Sequence, residues 1–426
     1  MNLYHKAAFG LYNICWRIAR PWLKLNQRLA DGYDQRTMKD CFPERADLWI
    51  QAASVGESFL ALEILQRLQT ARPIKIQLTS NTRQGVDILS QALPELNRRN
   101  HQMQTAVRYF PFDQPSMMAK AVAGIRPKVT VLLETEIWPG LLRALKMQRC
   151  KTIIVNGRIT AKSLKWYHLW PSIWQTLRPD RILAISAADA DRFGRLFGED
   201  GVDIMPNIKF DRLAPAGSAE DDQNHMASLL PAGIPFIVFA SVRQEEEPEV
   251  GRMLDEIGRR YPQGVAGIFP RHMQRLNYWQ EALTRSGKSW VLRSAVSNPV
   301  PPGTVIVWDA FGELMPAYRR AQAAFVGGSL APLGGQNFLE AIVSGLVPVS
   351  GPSWENFAWV GRKIIEAGLL RVAEDWRQAA AQIKQDLDAS QPRAAVIEKA
   401  QRFFEPRRGG TDQACRVIEE MLFEEG

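Results

Sequence analysis

An α/β protein of two doubly wound, Rossmann-like halves is the fold class the sequence predicts, and three observations carry it. Short apolar runs alternate with helix-period segments from residue 48 onward. The runs are apolar almost without interruption, as strands of a parallel sheet covered on both faces are. The pattern stops once, at 214-APAGSAEDDQNHMASLLPAGIP-235, and then restarts. A chain of 426 residues, 46% hydrophobic and 23% charged, is long enough for two such domains.

Residues 1–30 precede the pattern. They carry Lys6, Arg17, Arg20, Lys24 and Arg28, no Asp or Glu, and interleaved Leu3, Tyr4, Phe9, Trp16 and Trp22. The uncharged stretch from Ala7 to Trp16 is short of the roughly 20 apolar residues a membrane span needs. No small-residue cleavage site follows it. Such a segment either lies in the interface of an anionic membrane or packs as a basic helix on the body of the protein; its aromatic content favours the membrane. The formal net charge of +8 fits an anionic partner. No nucleic-acid-binding motif is recognisable, so nucleic acid is not expected.

In the first half the expected strands are 48–53, 74–80, 107–111, 129–134, 152–157, 181–186 and 202–207. The Ala, Pro, Gly and Asp content of 214–235 reads as a linker. In the second half the expected strands are 236–241, 265–270, 290–294, 304–309, 323–328, 346–351 and 369–373, and the last fifty residues read as helix. Two halves of this kind would form a cleft between the carboxyl ends of their strands, where open sheets bind ligands. Cys15, Cys41, Cys150 and Cys415 are far apart and form no C-x-x-C pair, and the five histidines form no H-E-x-x-H. Neither a disulfide framework nor a metal site is expected, and the chain reads as facing the cytosol.

Several stretches are equipped for chemistry. In 327-GGSLAPLGGQNFLEAIVSG-345 glycines, among them Gly334 and Gly335, lead from a strand towards a helix, so backbone N–H groups and a helix N-terminus offer a phosphate site. Glu340 is an acceptor for ribose hydroxyls there. The 270-PRHMQR-275 stretch brings Arg271 and His272 to a strand end, and Arg271 suits an anion. Lys209, in 207-NIKFD-211, is either a counter-charge for a phosphate or carboxylate or a plain surface lysine. In 134-ETEIWPG-140, Glu134 and Glu136 share a face if extended, fit for hydroxyl binding or acid/base work; helix-start acidity explains them equally well. Arg158 and Ser163 follow one strand end, and Thr82 and Arg83 lie in another strand-to-helix turn. Glu57, in 52-AASVGESFLALEILQRL-68, sits in the first turn of a helix, where local physics favours a dipole-compensating charge.

Taken in order, 52-AASVGE-57, 79-TSNTRQG-85, 134-ETEIWP-139, 156-NGRITAKSLKWY-167, 207-NIKFD-211, 270-PRH-272, 327-GGSLAPLGGQN-337 with Glu340, and 351-GPSWENF-357 resemble the Kdo transferases, family 30 glycosyltransferases with a GT-B fold. The resemblance runs from about residue 30 to the C-terminus. It implies inverting, metal-independent transfer of Kdo (3-deoxy-D-manno-oct-2-ulosonic acid) from CMP-Kdo to the tetra-acylated lipid A precursor, with no further cofactor. Glu57 would be the general base. Arg271, His272, Lys209, Ser241, Gly334, Gly335, Asn337 and Glu340 would serve the donor. Ser54, Gly56, Thr82, Arg83, Glu134, Glu136, Arg158 and Ser163 are candidates for the acceptor or the sugar.

It also implies a domain order: a membrane-associated helix at 1–30, an acceptor domain at 31–213, a linker at 214–235, a nucleotide-sugar domain at 236–405, and a C-terminal helix at 406–426 packed back on the first domain. The enzyme would work at the cytoplasmic face of the bacterial inner membrane, held to anionic lipids by residues 1–30. The sequence departs from the family pattern at 240-ASVRQEEE-247, where G-S-T-H-x-G-E-E is common, at Gln336, where histidine is usual, and in 270-PRHMQR-275 and 138-WPG-140, where P-R-H-P-E-R and W-P-N are usual. A different sugar nucleotide, or a silent lipid A-binding relative, is the alternative reading.

Overall fold

Residues 48–52 read Leu-Trp-Ile-Gln-Ala, and in the computed structural model all five are buried in a strand, β1 (Leu48–Ala52). The structure describes residues 3–39, 45–213, 226 and 228–423. Residues 214–225 and 227 of the expected linker, and Cys41, lie outside them. The chain divides into two units, one running to Arg212 and resuming at Arg407, the other spanning Leu213 to Pro406.

The first unit is a seven-stranded parallel sheet. Its strands are β1, β2 (Ile74–Ser80), β3 (Met103–Tyr109), β4 (Val129–Leu133), β5 (Lys151–Gly157), β6 (Arg181–Ala184) and β7 (Val202–Ile204). The spatial order is β3-β2-β1-β4-β5-β6-β7, so the order in which successive strands are added reverses between β1 and β4 while the strands stay parallel. Alternation within β1 sends Leu48, Ile50 and Ala52 to one core and Trp49 to the other. The first core is closed by Leu60 and Ile64 of a helix at Val55–Arg67 and by Ile418 and Met421 of the helix Gly410–Phe423. The second unit repeats the plan with β8 (Phe236–Val242), β9 (Val265–Pro270), β10 (Trp290–Leu292), β11 (Val305–Val307), β12 (Ala323–Val326), β13 (Val349–Ser350) and β14 (Arg371–Val372). Its order is β10-β11-β9-β8-β12-β13-β14, also parallel, and it reverses between β8 and β12.

Every expected strand has a counterpart, and the differences are at ends. β3 begins at Met103 rather than 107, because an edge strand is half exposed and Gln104 and Thr105 hide it from a search for apolar runs. β13 and β14 keep only two residues each.

Residues Leu3–Leu23 form one helix, α1, followed by a short helix, α2, at Gln27–Ala30. One side of α1 is fixed to the first unit: Phe9 and His5 are buried, Tyr12 donates to the Asp113 carboxylate at 3.0 Å, and Asn13 accepts from Gln114 and from the Ser116 N–H. On its remaining surface Leu11, Ile14, Ile18 and Trp22 are each more than half exposed, as is Leu25 just beyond its end. Trp166, Leu169 and Trp170 extend this apolar surface where Trp170 stacks on Tyr4. Among the described residues no helix is long and apolar enough to cross a membrane.

Candidate active site

In the first unit the chemistry gathers where strand order reverses. The turn after β1 is short, and Ser54 caps the helix that follows it: its Oγ accepts from the Glu57 N–H at 3.5 Å. The Glu57 carboxylate turns back to take the Ala53 N–H at 2.5 Å and the Ser54 hydroxyl at 3.2 Å. This is the geometry of a capping box displaced by one residue. Burial pushes the Glu57 carboxyl up to about 8, helped by the negative charges of Glu136 and Glu134.

Those two carboxylates come from the end of β4. Glu134 stands at φ 54°, a left-handed conformation that costs a non-glycine residue energy and is concentrated at functional sites. It pairs with Lys209 at 2.6 Å and with Arg158 at 3.7 Å. Glu136 is buried and accepts from Gln51 at 2.9 Å and from the Trp138 indole at 2.6 Å. Its carboxyl is raised, chiefly by burial. A relay of side chains supports it: Trp49 donates to Thr79, and Thr79 to Gln51. Asn156, buried at φ 57° in β5, accepts from the Ile208 N–H and so sets the turn that carries Lys209.

Glu57, Glu134, Glu136, Arg158 and Lys209 therefore form one cluster. The others keep local partners. Thr82 caps its own helix through the Gly85 N–H at 3.1 Å, exposed Arg83 lies 3.8 Å from Asp87, and Ser163 bonds Thr160. Gly56 is an exposed first-turn residue.

In the second unit the corresponding reversal brings the end of β8 beside the glycine-rich stretch after β12. Ser241 stands at φ 53°, where β8 breaks register with β9. Glu246 is fully buried, and its carboxylate accepts the N–H groups of Arg243, Gly328, Ser329 and Leu330. A Cβ at Gly327 would lie 2.3 Å from that carboxylate, which explains the glycine. The first glycine pair thus serves an internal anion, a correction to the expectation that its amides form a phosphate cradle. Further along, the Gly334 N–H donates to Ser353 and the Gly335 N–H to the Gly328 carbonyl. Asn337 accepts from the Leu339 N–H and donates to Glu340 at 2.7 Å. The helix it opens, Leu339–Val343, has only five residues, so its dipole is weaker than the sequence suggested. Arg271 and His272 are exposed at the end of β9. Their loop is pinned by Arg275, which makes a two-pronged pair with buried Glu247 at 2.5 and 2.9 Å.

Sequence reasoning passed over Gln51, Trp138, Asn156 and Glu246. A polar residue inside the apolar strand Leu-Trp-Ile-Gln-Ala was the available signal for Gln51. Among the described residues no group of three His, Cys, Asp or Glu side chains is placed to hold a metal ion.

The family model described as 3-deoxy-D-manno-octulosonic-acid transferase (kdotransferase) matches residues 24–212. A 3-deoxy-D-manno-octulosonic acid transferase of Bordetella pertussis is 30% identical over 442 residues, covering 99% of both chains. One from Haemophilus influenzae is 28% identical, covering 82% of this chain and 81% of its own. Among solved structures, a glycosyltransferase from Rickettsia africae superposes with a TM-score of 0.59 at 11% identity, over 90% of this chain and all of the other; this likeness is one of fold.

Proposed function

The chain belongs to the 3-deoxy-D-manno-octulosonic acid (Kdo) transferases, glycosyltransferases of lipopolysaccharide biosynthesis, and on that premise we propose that Glu57 is the base of an inverting transfer from CMP-Kdo to the tetra-acylated lipid A precursor. The observation that carries this reading is the carboxylate cluster at the first unit's reversal point. Glu57 is desolvated beside Glu136 and Glu134 and titrates near 8, close to working pH, where a general base is most effective.

The proposed step balances simply. The acceptor oxygen bonds to the anomeric carbon of Kdo, the bond from that carbon to the CMP phosphate breaks, and CMP leaves with the electron pair. The acceptor proton passes to ionised Glu57. The Lys209–Glu134–Arg158 group holds Glu134 against two cations, which limits how far its charge opposes that ionisation. In the second unit Arg271 and His272 are assigned to the nucleotide phosphate, with Ser241, Asn337 and Glu340 as further donor contacts. Fixed cations of this kind would stabilise the leaving group without a metal ion or another cofactor. The remaining Ser54, Gly56, Thr82, Arg83 and Ser163 are assigned to the acceptor side.

We further propose attachment to the cytoplasmic face of the inner membrane through residues 1–30. The support is the exposed apolar surface of α1 together with Arg17, Arg20 and Lys24 and no acidic residue.

Incubating the full chain with CMP-Kdo and the tetra-acylated precursor tests the reaction. CMP release with formation of a Kdo-bearing lipid is expected. No release, under conditions where the Bordetella pertussis relative works, sinks the proposal. Co-sedimentation with anionic liposomes tests attachment, and deleting residues 1–30 should abolish it.

A further inference from the structure

A cavity of about 130 Å³ lies in the first unit, lined by Trp16, Leu23 and Leu29 from α1 and its sequel and by Phe110, Phe112 and Trp138 from the body. We propose that it takes a short length of one hydrocarbon chain of the acceptor lipid, a subsite that rests on the transferase reading given above and deepens it.

The lining identifies the guest. Three polar side chains face the cavity, and the structure engages all three. The Arg36 guanidinium donates to the carbonyls of Asp31, Phe110 and Asn81 at 2.9, 3.3 and 2.7 Å. The Asp113 carboxylate accepts the Gly140 and Leu141 N–H groups and the Tyr12 hydroxyl at 2.7 to 3.0 Å. The Asn81 side-chain oxygen accepts from Gln51. A polar ligand or a bound water needs open hydrogen-bonding partners, and a cavity walled by aromatic rings, with the Arg36 guanidinium, the Asp113 carboxylate and the Asn81 side-chain oxygen already occupied, suits an apolar guest. Its volume matches about four water-sized groups, or a short length of alkyl chain.

Position identifies the source of the chain. Trp16, Leu23 and Leu29 belong to the same segment whose outer surface exposes Leu11, Ile14, Ile18, Trp22 and Leu25. At the other wall, Trp138 donates to Glu136 at 2.6 Å, and Asn81 and Glu136 share Gln51 as donor. One side chain therefore separates the cavity from the carboxylates that surround Glu57. An acceptor that carries its hydroxyl on an acylated headgroup has both features, and seating a chain here would fix the headgroup relative to Glu57.

The test uses the full chain, a dodecyl maltoside below its micelle concentration with a diazirine on its tail, and the double variant Leu23→Trp/Leu29→Trp, which fills the cavity. In the parent, photolabelling is expected at Trp16, Leu29 and Phe110–Phe112. In the variant these labels should fall at least fivefold, while labels on Leu11 and Ile14 persist. With CMP-Kdo, the variant should raise the KM for the tetra-acylated precursor about tenfold and leave turnover of its deacylated disaccharide unchanged. If the double variant does not fold, Leu29→Phe replaces it, with a smaller shift in the same direction. Cavity labels that survive filling, or an equal loss on both acceptors, overturn the subsite. Labelling that behaves as expected in a protein that transfers no Kdo would uphold the cavity and reject the transferase reading.

Discussion

Both units place a desolvated carboxylate at the point where their strand order reverses, Glu246 fully buried and Glu57 partly so, yet the two are built for opposite ends. Glu246 is fully enclosed and accepts four backbone N–H groups, so its charge is matched by fixed dipoles and locked into the fold. Glu57 accepts one backbone N–H and one hydroxyl and stands near two more carboxylates. Burial opposes the ionised form in both. At Glu246 four backbone donors offset that opposition, whereas at Glu57 the charges of Glu136 and Glu134 add to it against only the Ala53 N–H and the Ser54 hydroxyl. A carboxylate whose lone pairs are occupied by backbone holds structure; one left under-compensated beside like charges is poised to exchange a proton.

Substitution at each position breaks the comparison in a different observable. Glu57→Gln keeps the cap geometry and removes the base, and kcat should fall by about 10³, within the range for general-base loss, with CMP affinity unchanged. A loss below about fivefold would return Glu57 to a purely capping role. Glu246→Ala leaves buried N–H groups of the glycine turn without an acceptor and should cost about 3 kcal/mol. Faster proteolysis within residues 236–405 would report it. Equal sensitivity in the parent and the variant would mean the turn holds without its anion.

The pH dependence carries a definite sign. The Glu57 carboxyl lies near 8 in the folded chain against an ordinary 4.5, so the folded state holds that proton more tightly. Its contribution to stability is complete below about 4.5 and is lost as pH rises through 8. Urea midpoints of Glu57→Gln and parent should therefore diverge in favour of the variant between pH 5 and 9, and kcat of the parent should climb over the same window. Glu136→Gln removes a like charge and keeps an acceptor for Gln51 and Trp138, so the midpoint of the kcat profile should fall by roughly one unit. An unmoved midpoint would leave desolvation and the Glu134 charge as the causes.

The strands were legible because parallel strands buried on both faces are continuous apolar runs, and Leu48–Ala52 or Val129–Leu133 need no partner to be recognised. Only the second part of edge strand β3 was, since Gln104 and Thr105, exposed and half-exposed, break the apolar run at its start. The motif around Glu57 was visible, but its setting was not. The bond between Gln51 and Glu136 joins residues 85 apart, and only the order β2-β1-β4 brings them together. Glu246 was hidden in a run of three glutamates, where nothing local says that the middle one points inward and accepts from a turn 82 residues away.

The smallest effect expected is at Gly56, and it tests whether the first unit's open side faces substrate. A Cβ built there would meet only the Ser54 Oγ, at 3.8 Å, so nothing in the protein requires glycine. Alanine is the better helix former by about 0.5 to 1 kcal/mol, and Gly56→Ala should stabilise the first unit by that amount. A position that gives up helix stability beside the proposed base makes sense if the acceptor passes close to its backbone. The KM for the acceptor should then rise about threefold in Gly56→Ala, with the KM for CMP-Kdo unmoved. If stability rises and both constants stay where they were, that space belongs to solvent, and the acceptor reaches Glu57 from the side of Glu134 and Arg158.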